Sequence, residues 1–272
     1  MKTGVTNIKV PYPELRGKLS SVRYPALAEV KFDGEYCVIH WKRGQNALAI
    51  NKNGKCREDF HQLNAIQTLL EGTEADSCTL MAELYYEDGH TGRLYDLLSN
   101  KENDDLRLGV FDCVGVNGKY VGREQLIDRR ELLNDLISCD FCPTARIVHD
   151  ANDVDDFFKG MVDIGYEGIV VKSLDSTIVM GPCAWTKVKF KDQSDYKVDK
   201  IDSIKERIEV EVPSPSTGQG ITATTFVYVG VKAPNKYKKH ISVGDMVTIE
   251  HQGVLPSGSL RHPVLIPKKE WL

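Results

Sequence analysis

A chain of 272 residues with 41% hydrophobic and 27% charged residues has the composition of a globular protein with one large or two ordinary cores. No apolar run is long enough to cross a bilayer, and the N-terminal residues lack the apolar stretch of a secretory signal. We therefore expect a cytoplasmic protein with no membrane partner. The net charge is −4, but the residues after Ser194 form the more basic part of the chain, so the sum alone does not exclude a nucleic-acid partner.

The first two thirds of the chain mix strand and helix periodicities. Alternating apolar residues predict a hairpin from residues 26–40 and 47–51, with a turn at 43–46. Further strands are predicted at 79–86, 106–114, 168–173 and 186–190, and helices at 58–71, 123–138 and 153–164. This order predicts an α+β core.

The pattern changes near residue 191, beyond which no helical period is present. Five strand-like runs follow, at residues 196–204, 208–212, 222–231, 246–252 and 263–266, separated by proline, serine and glycine. Five short strands in about 80 residues predict a small all-β barrel of the oligonucleotide-binding (OB) kind, although the strand count alone also fits an SH3-like barrel. We predict two domains, residues 1–191 and 192–272.

The tetrapeptide Lys31-Phe32-Asp33-Gly34 ends the first predicted strand. In an extended segment alternate side chains share a face, so Lys31 lies beside Glu29 and Asp33. A lysine becomes a nucleophile for covalent catalysis when its surroundings favour the neutral amine. The tetrapeptide is also common at ordinary strand ends, so its meaning depends on residues further along the chain.

Candidate partners for such a lysine follow in order. Glu83 is a carboxylate inside a strand, Phe111 is an aromatic residue that could stack on a purine or belong to the core, and Glu167 could bind a hard cation through oxygen. Strand alternation at 185–191 predicts a cationic stripe of Lys187, Lys189 and Lys191, which suits phosphate.

Six segments in this order resemble the signature motifs of the covalent nucleotidyltransferases, and specifically the ATP-dependent DNA ligases. They are Lys31-Phe-Asp-Gly34, Asn51-Lys-Asn-Gly54, Ala82-Glu-Leu84, Val110-Phe-Asp112, Glu167-Gly-Ile-Val-Val-Lys172 and Trp185-Thr-Lys-Val-Lys189. The resemblance implies a nucleotidyltransferase (ATP-grasp-like adenylation) domain followed by an OB-fold barrel. The few residues before the first motif favour a minimal ligase of the viral or accessory type.

The resemblance also implies roles for individual residues. Lys31 would attack the α-phosphate of ATP and form lysyl-AMP, with Asp33 beside it in the catalytic set. The implied contacts are Glu83 to the ribose, Phe111 to adenine, Glu167 with Glu83 to Mg²⁺ (or Mn²⁺), Lys187 and Lys189 to the α-phosphate, Glu29 and Lys52 to ATP, and Arg261 with Lys268 or Lys269 to pyrophosphate. The AMP would then pass to the 5′-phosphate of a nick in duplex DNA, and the 3′-hydroxyl would seal it.

The sequence departs from the family pattern in several places. Tyr36 and Lys52 stand where arginines are usual, and the ending Pro267-Lys-Lys-Glu270 replaces an Arg-x-Asp-Lys type of segment. Lys172 lies five residues after Glu167, which puts the two on opposite strand faces unless Gly168 forms a bulge.

The basic stretch 232–240 and the loop 213–220 are candidates for added DNA contacts, the former through Lys232, Lys236, Lys238 and Lys239. We expect a monomer acting in DNA replication or repair. One alternative is an RNA ligase of the same superfamily, and a capping guanylyltransferase fits the C-terminal segment less well. A nucleic-acid-binding protein without catalysis is the alternative from another class.

Overall fold

A computed structural model describes residues 13–15, 17–86, 106–178, 181–213, 226–255 and 257–271. The contacts within the chain divide it into two compact units, residues 1–188 and 189–272. Within the described residues, none of the helices has both the length and the apolarity that crossing a membrane requires.

Among its described residues, the first unit contains two main sheets and three α-helices. A six-stranded sheet has the order β5-β4-β3-β6-β7-β8, and a four-stranded sheet has the order β12-β10-β2-β9. The strands are β1 (Pro13–Leu15), β2 (Ala26–Lys31), β3 (Gly34–Lys42), β4 (Leu48–Asn51), β5 (Cys56–Arg57), β6 (Ser77–Tyr86), β7 (Leu106–Val116), β8 (Lys119–Tyr120), β9 (Ala145–Val148), β10 (Gly168–Ser173), β11 (Gly181–Cys183) and β12 (Thr186–Lys189). The helices are α1 (His61–Glu71), α2 (Leu126–Leu136) and α3 (Ala151–Asp163). Strands β1 and β11 form a separate parallel pair.

Residues 26–40 were predicted as one strand of a hairpin, and this was wrong in one respect. The strand is interrupted at Phe32 and Asp33, and its halves join different sheets: β2 pairs with β9 and β10, whereas β3 pairs with β4 and β6. The predicted hairpin is the β3–β4 pair. Gly34 begins β3, and only a glycine fits there, because a Cβ would lie 2.2 Å from the Leu84 carbonyl oxygen of β6. Lys31 is therefore the last residue of one sheet at the point where the chain enters the other.

Alternation in the four-stranded sheet separates an apolar face from a polar one. Ala26 and Ala28 of β2, Ile169 and Val171 of β10 and Val188 of β12 pack in one cluster with Val154 and Phe157 of α3. The intervening residues of β2, β10 and β12 lie on the other face, and they include Glu29, Lys31, Lys172, Lys187 and Lys189. Burial of the apolar face thus determines which side chains the sheet offers for chemistry.

The second unit is a closed five-stranded barrel with the order β13-β14-β15-β17-β16. Its strands are β13 (Asp192–Ile201), β14 (Arg207–Pro213), β15 (Phe226–Lys232), β16 (Met246–His251) and β17 (Val264–Leu265), and a short helix α4 (Asn235–Lys238) follows β15. The barrel interior is apolar, with Val198, Val210, Val231 and Ile249 at 0% exposure. The α+β class and the all-β barrel that the sequence predicted are confirmed. Residues 222–225 of the predicted third barrel strand lie outside the described residues.

Candidate active site

Lys31 is held at the end of β2 by two acceptors. Its Nζ donates to Glu167 Oε2 at 2.5 Å and to the Phe32 carbonyl oxygen at 3.1 Å. The Lys31 side chain is 19% exposed and that of Glu167 only 2%. Glu167 directly precedes Gly168, which pairs with Lys31 across the β2–β10 ladder. The amine is thus fixed in position while a part of it stays open to a substrate.

Glu83 of β6 adds a second carboxylate next to Lys31. It lies opposite Tyr36 in the β3–β6 ladder, and the Gly34 backbone N–H donates to it. Burial raises the pKa of Glu83 to about 7, and the negative charges of Glu167 and Asp33 act in the same direction, whereas Lys31 acts against them. Several carboxylates therefore lie near one lysine, and a further cation would favour the ionised form of Glu83.

The structure explains how Glu167 and Lys172, which are five residues apart, both contact residues on one face of β2. Gly168 has a φ of 152°, in a region that side-chain-bearing residues rarely adopt, and this breaks the alternation just before β10. As a result, Glu167 contacts Lys31 while Lys172 contacts Glu29, and both partners belong to the same face of β2. The β2–β10 register is continuous, so the irregularity at Gly168 is in its backbone conformation and is not a bulge in the ladder.

Phe111 lies in an irregular part of β7. In the β6–β7 ladder Met81 pairs with Asp112 and Ala82 with Val110, so that Phe111 is an extra residue between two pairs. Its ring lies 6.3 Å from those of Tyr36 and Trp185, and it is partly exposed at the edge of their apolar cluster. A ring at the edge of a cluster keeps one side free of core packing, which suits stacking on a base.

Glu29 is fully enclosed between two cations. It is 1% exposed, it forms a close ion pair with Lys172 Nζ, and it accepts from Arg130 Nη1 at 3.0 Å. Lys172 Nζ also lies 4.1 Å from the Trp185 ring centroid and 4.8 Å from that of Phe111. Through Lys172, the predicted ATP ligand Glu29 is therefore linked to the rings of Phe111 and Trp185.

Three further predicted residues of the first unit lie at different places. Lys187 is exposed on β12 and follows the alternation that puts it on the polar sheet face. Asp33 lies in the turn after β2, near enough to Glu83 to influence its pKa. Lys52 lies in the turn after β4, and this turn is fixed by buried Asn51, whose Oδ1 accepts from the backbone N–H groups of residues 53 and 55.

The cationic stripe predicted at 185–191 is shorter than expected. Strand β12 ends at Lys189, and Lys191 lies beyond it, where its Nζ donates to Glu250 Oε1 of the barrel at 2.7 Å. Only Lys187 and Lys189 share the strand face, because the chain leaves the sheet before the third alternate position.

The remaining predicted residues belong to the barrel unit. Arg261 precedes β17 and exchanges backbone hydrogen bonds with Gln252 and Gly253. Lys232, Lys236 and Lys239 are exposed. Lys238 Nζ instead donates to the carbonyl oxygens of residues 202 and 205 at 2.7 and 2.8 Å, so it holds a turn of the barrel. Residues 214–220 of the other predicted DNA contact, the 213–220 loop, lie outside the described residues.

Sequence reasoning missed two arginines, Arg129 and Arg130 of α2, which contact Asp112 and Glu29. One signal was available for Arg129. It shares the buried helix face with Leu126, Leu133 and Leu136, where a charged residue needs a buried partner.

A cavity of about 520 Å³ lies elsewhere in the first unit. Its walls come from the far ends of β3, β6 and β7 and include His40, Thr79 and Tyr120, and none of the predicted site residues lines it.

The polar sheet face with Lys31 at its edge, together with the following barrel, has the organisation of a nucleotidyltransferase domain joined to an OB fold. Comparison with known families agrees: the ATP-dependent DNA ligase domain matches residues 12–189. The chain belongs to this family, and the resemblance drawn from the motifs is confirmed.

Curated relatives are DNA ligases. The DNA ligase of Pyrobaculum islandicum is 29% identical in an alignment 196 residues long, which covers 66% of this chain and 32% of that protein. DNA ligase 2 of Thermofilum pendens is 26% identical in an alignment 263 residues long, which covers 89% of this chain and 42% of that protein. The chain thus spans about a third of the length of the first of these relatives and less than half of the second.

Solved structures show the same fold. A Lig E DNA ligase, described as binding DNA with a minimal scaffold, matches with a TM-score of 0.70 at 15% identity over 96% of this chain and 99% of that one. The ligase domain of M. tuberculosis LigD matches with a TM-score of 0.54 at 16% identity over 94% of this chain and 93% of that one.

Proposed function

We propose that this protein is an ATP-dependent DNA ligase that seals nicks in duplex DNA through a covalent lysyl-AMP intermediate. The observation that carries the proposal is the position of Lys31. Its Nζ lies at the edge of the polar sheet face, 2.5 Å from Glu167 Oε2, in a chain of the ATP-dependent DNA ligase family. An immobilised amine in a constant position is what a nucleophile for in-line attack on a phosphate requires.

The reaction has three steps, and in each of them one bond to phosphorus forms while another breaks. The Lys31 amine loses a proton and bonds to the α-phosphorus of ATP, while the bond to the pyrophosphate oxygen breaks. An oxygen of the 5′-phosphate at the nick then displaces Lys31 and takes over the AMP. Finally the 3′-hydroxyl attacks the activated 5′-phosphate, loses its proton, and AMP leaves.

The residues around Lys31 suit these steps. Glu167 and the Phe32 carbonyl oxygen aim the amine. Lys187 and Lys189 lie on the polar face, where their charges stabilise an α-phosphate that gains negative charge in the transition state. Phe111 supplies a ring for the adenine, and Glu83 lies near enough to Lys31 to contact the ribose. As the family resemblance implies, we also propose Asp33 for catalysis, Lys52 for ATP binding and Arg261 for binding pyrophosphate.

The carboxylates next to Lys31 fit Mg²⁺ or Mn²⁺. Glu83 has a pKa raised to about 7 by burial and by neighbouring negative charge, and an additional cation removes that cost. Glu167 and Glu83 would hold the ion, which would neutralise phosphate charge when bound.

Adduct formation tests the proposal directly. With ATP labelled at the α-phosphate, we expect an acid-labile protein adduct that γ-labelled ATP does not give and that Lys31→Ala abolishes. Lys119→Ala, which changes an exposed lysine outside the proposed active site, is the matched control and should still form the adduct. A wild-type protein that folds but forms no adduct would refute the proposal and favour a binding protein without catalysis.

The polynucleotide is tested by sealing. We expect joining of a nicked DNA duplex in preference to a nicked RNA duplex of the same sequence, and adduct formation from ATP in preference to GTP. Preferential joining of RNA would instead assign the protein to the RNA ligases.

Exposed lysines of the barrel are proposed to contact DNA phosphates. Replacing Lys232, Lys236 or Lys239 by alanine should each reduce the salt slope of binding to nicked DNA by about 0.9, the value for one phosphate contact. Lys238→Ala serves as a comparison, because its amine already binds two carbonyl oxygens and its loss should act on stability. Unchanged salt slopes in all three exposed variants would show that these lysines do not contact DNA phosphates.

The finer expectations are part of the same proposal: a monomer, located in the cytoplasm and acting in replication or repair. Light scattering of the protein alone and with nicked DNA tests the first of these.

A further inference from the structure

Arg129 is a buried cation that the proposed chemistry does not use. Its side chain is 0% exposed, on the face of α2 that packs against the six-stranded sheet and lies between Leu126 and Leu133. Burying a guanidinium is costly, and an apolar residue of similar size would fill the same space without that cost. A buried ion pair is therefore weak evidence for a role in stability alone.

The contacts of Arg129 join three segments. The guanidinium forms a bidentate ion pair with Asp112, in which Nε donates to Oδ1 at 2.8 Å and Nη2 donates to Oδ2 at 2.9 Å. Its Nη1 donates to the carbonyl oxygens of Ser176 at 2.9 Å and Glu124 at 2.5 Å. The planar fork satisfies all of these acceptors at once, which the single ammonium of a lysine cannot do.

Two of these partners are connected to the aromatic residues of the site, one through the chain and one through a hydrogen bond. Asp112 follows Phe111, at the irregularity of β7 where the ladder by itself does not determine the direction of the side chain. Ser176 accepts from Trp185 Nε1 through its Oγ at 3.1 Å, and the Trp185 ring contacts that of Phe111 edge to face at 6.3 Å. One guanidinium thus links the carboxylate of Asp112, the residue after Phe111, to the backbone of Ser176, whose side chain binds Trp185.

We propose that Arg129 is a positioning residue for base recognition: by binding Asp112 and the Ser176 carbonyl oxygen, it fixes Phe111 and Trp185 at the place where the purine of ATP stacks. This inference rests on the proposed function. Arg129 touches no substrate, and it acts on the base-binding end of ATP only. The lysines proposed to bind phosphate, Lys187 and Lys189, belong to β12, and the hydrogen bonds of Arg129 are to Asp112, Glu124 and Ser176 in other segments.

The test compares ATP with a ligand that has no base. Arg129→Lys keeps the charge and removes the fork, and the double variant Arg129→Leu/Asp112→Leu removes the ion pair while keeping the site apolar. In each we expect the ATP concentration for half-maximal adduct formation to rise about tenfold, the scale of one lost base-stacking contact, while the rate at saturating ATP changes less than about threefold. Inhibition by inorganic triphosphate should stay as in the wild type.

Arg23→Lys is the matched control. Arg23 forms the same bidentate geometry with Asp175, at 2.9 and 2.8 Å, but on the surface. It should leave the ATP dependence and the triphosphate inhibition unchanged.

The outcomes separate the possibilities. ATP and triphosphate affinities that fall in parallel, an unchanged ATP dependence, or failure of both variants to fold would each overturn the proposal in favour of a purely structural Arg129. A wild-type protein that forms no adduct would instead refute the proposed ligase function, and equilibrium binding of ATP and triphosphate to the same variants would then decide the role of Arg129.

Discussion

Replacing Gly109 by alanine tests how closely Phe32, the residue after Lys31, is packed. Gly109 lies on β7, and a Cβ added there would be 2.2 Å from Phe32 Cε2. Ordinary contacts begin at 3.4 Å, so the ring would have to move by about 1.2 Å. Phe32 stacks on Tyr85 with a centroid distance of 4.0 Å and contacts Tyr166 edge to face at 6.1 Å, which leaves it little room to move.

The displacement should affect both stability and rate. Overpacking of this kind lowers the free energy of unfolding by about 1–3 kcal/mol. Because the Phe32 carbonyl oxygen accepts from Lys31 Nζ, the shift also moves this amine, the proposed nucleophile, and a displacement of about 1 Å can reduce a rate by about 100-fold.

Urea denaturation and the single-turnover rate of adduct formation measure the two effects. Gly160→Ala in α3 is the matched control, since nothing lies within 4 Å of its added Cβ, and it should raise stability by about 0.5–1 kcal/mol without changing the rate. A Gly109→Ala protein with wild-type stability and rate would show that the packing of Phe32 does not position Lys31.

Three further predictions concern charge and packing. Burial raises the pKa of Glu83 from 4.5 to about 7. The proton bound to Glu83 therefore stabilises the folded protein below about pH 4.5, and this contribution is lost as the pH rises through 7. The thermal stability of Glu83→Gln relative to the wild type should accordingly increase between pH 5 and 8, and an equal difference at all pH values would contradict this. Lys172→Met leaves buried Glu29 with one cation fewer and should lower the free energy of unfolding by about 3 kcal/mol in urea, whereas an unchanged value would show that Arg130 alone suffices. Ile249→Ala in the barrel interior should cost about 2–5 kcal/mol, and a smaller loss by calorimetry would indicate that the barrel core relaxes around the cavity.

Much of the fold was predictable because burial imposes a period on the sequence. The helices α1, α2 and α3 were found within a few residues of their bounds, and the barrel was predicted from five short runs separated by turn residues. The prediction failed at the strand for residues 26–40, because alternation continues across Phe32 and Asp33 and carries no information about which partner each half has. Lys191 was placed in the wrong group for the same reason.

The sequence by itself determined the residue types of the candidate site and their order: a lysine before an Asp-Gly turn, carboxylates in strands, and lysines at alternate positions. Only the tertiary structure decided which of them meet. Lys172 contacts Glu29 because β2 and β10 pair in one register, and Glu167, which precedes β10, reaches Lys31 where Gly168 adopts a φ of 152°. The role of Arg129 was beyond the sequence, since its partners Asp112 and Ser176 are 17 and 47 residues away and are brought to it only by the packing of a helix on a sheet.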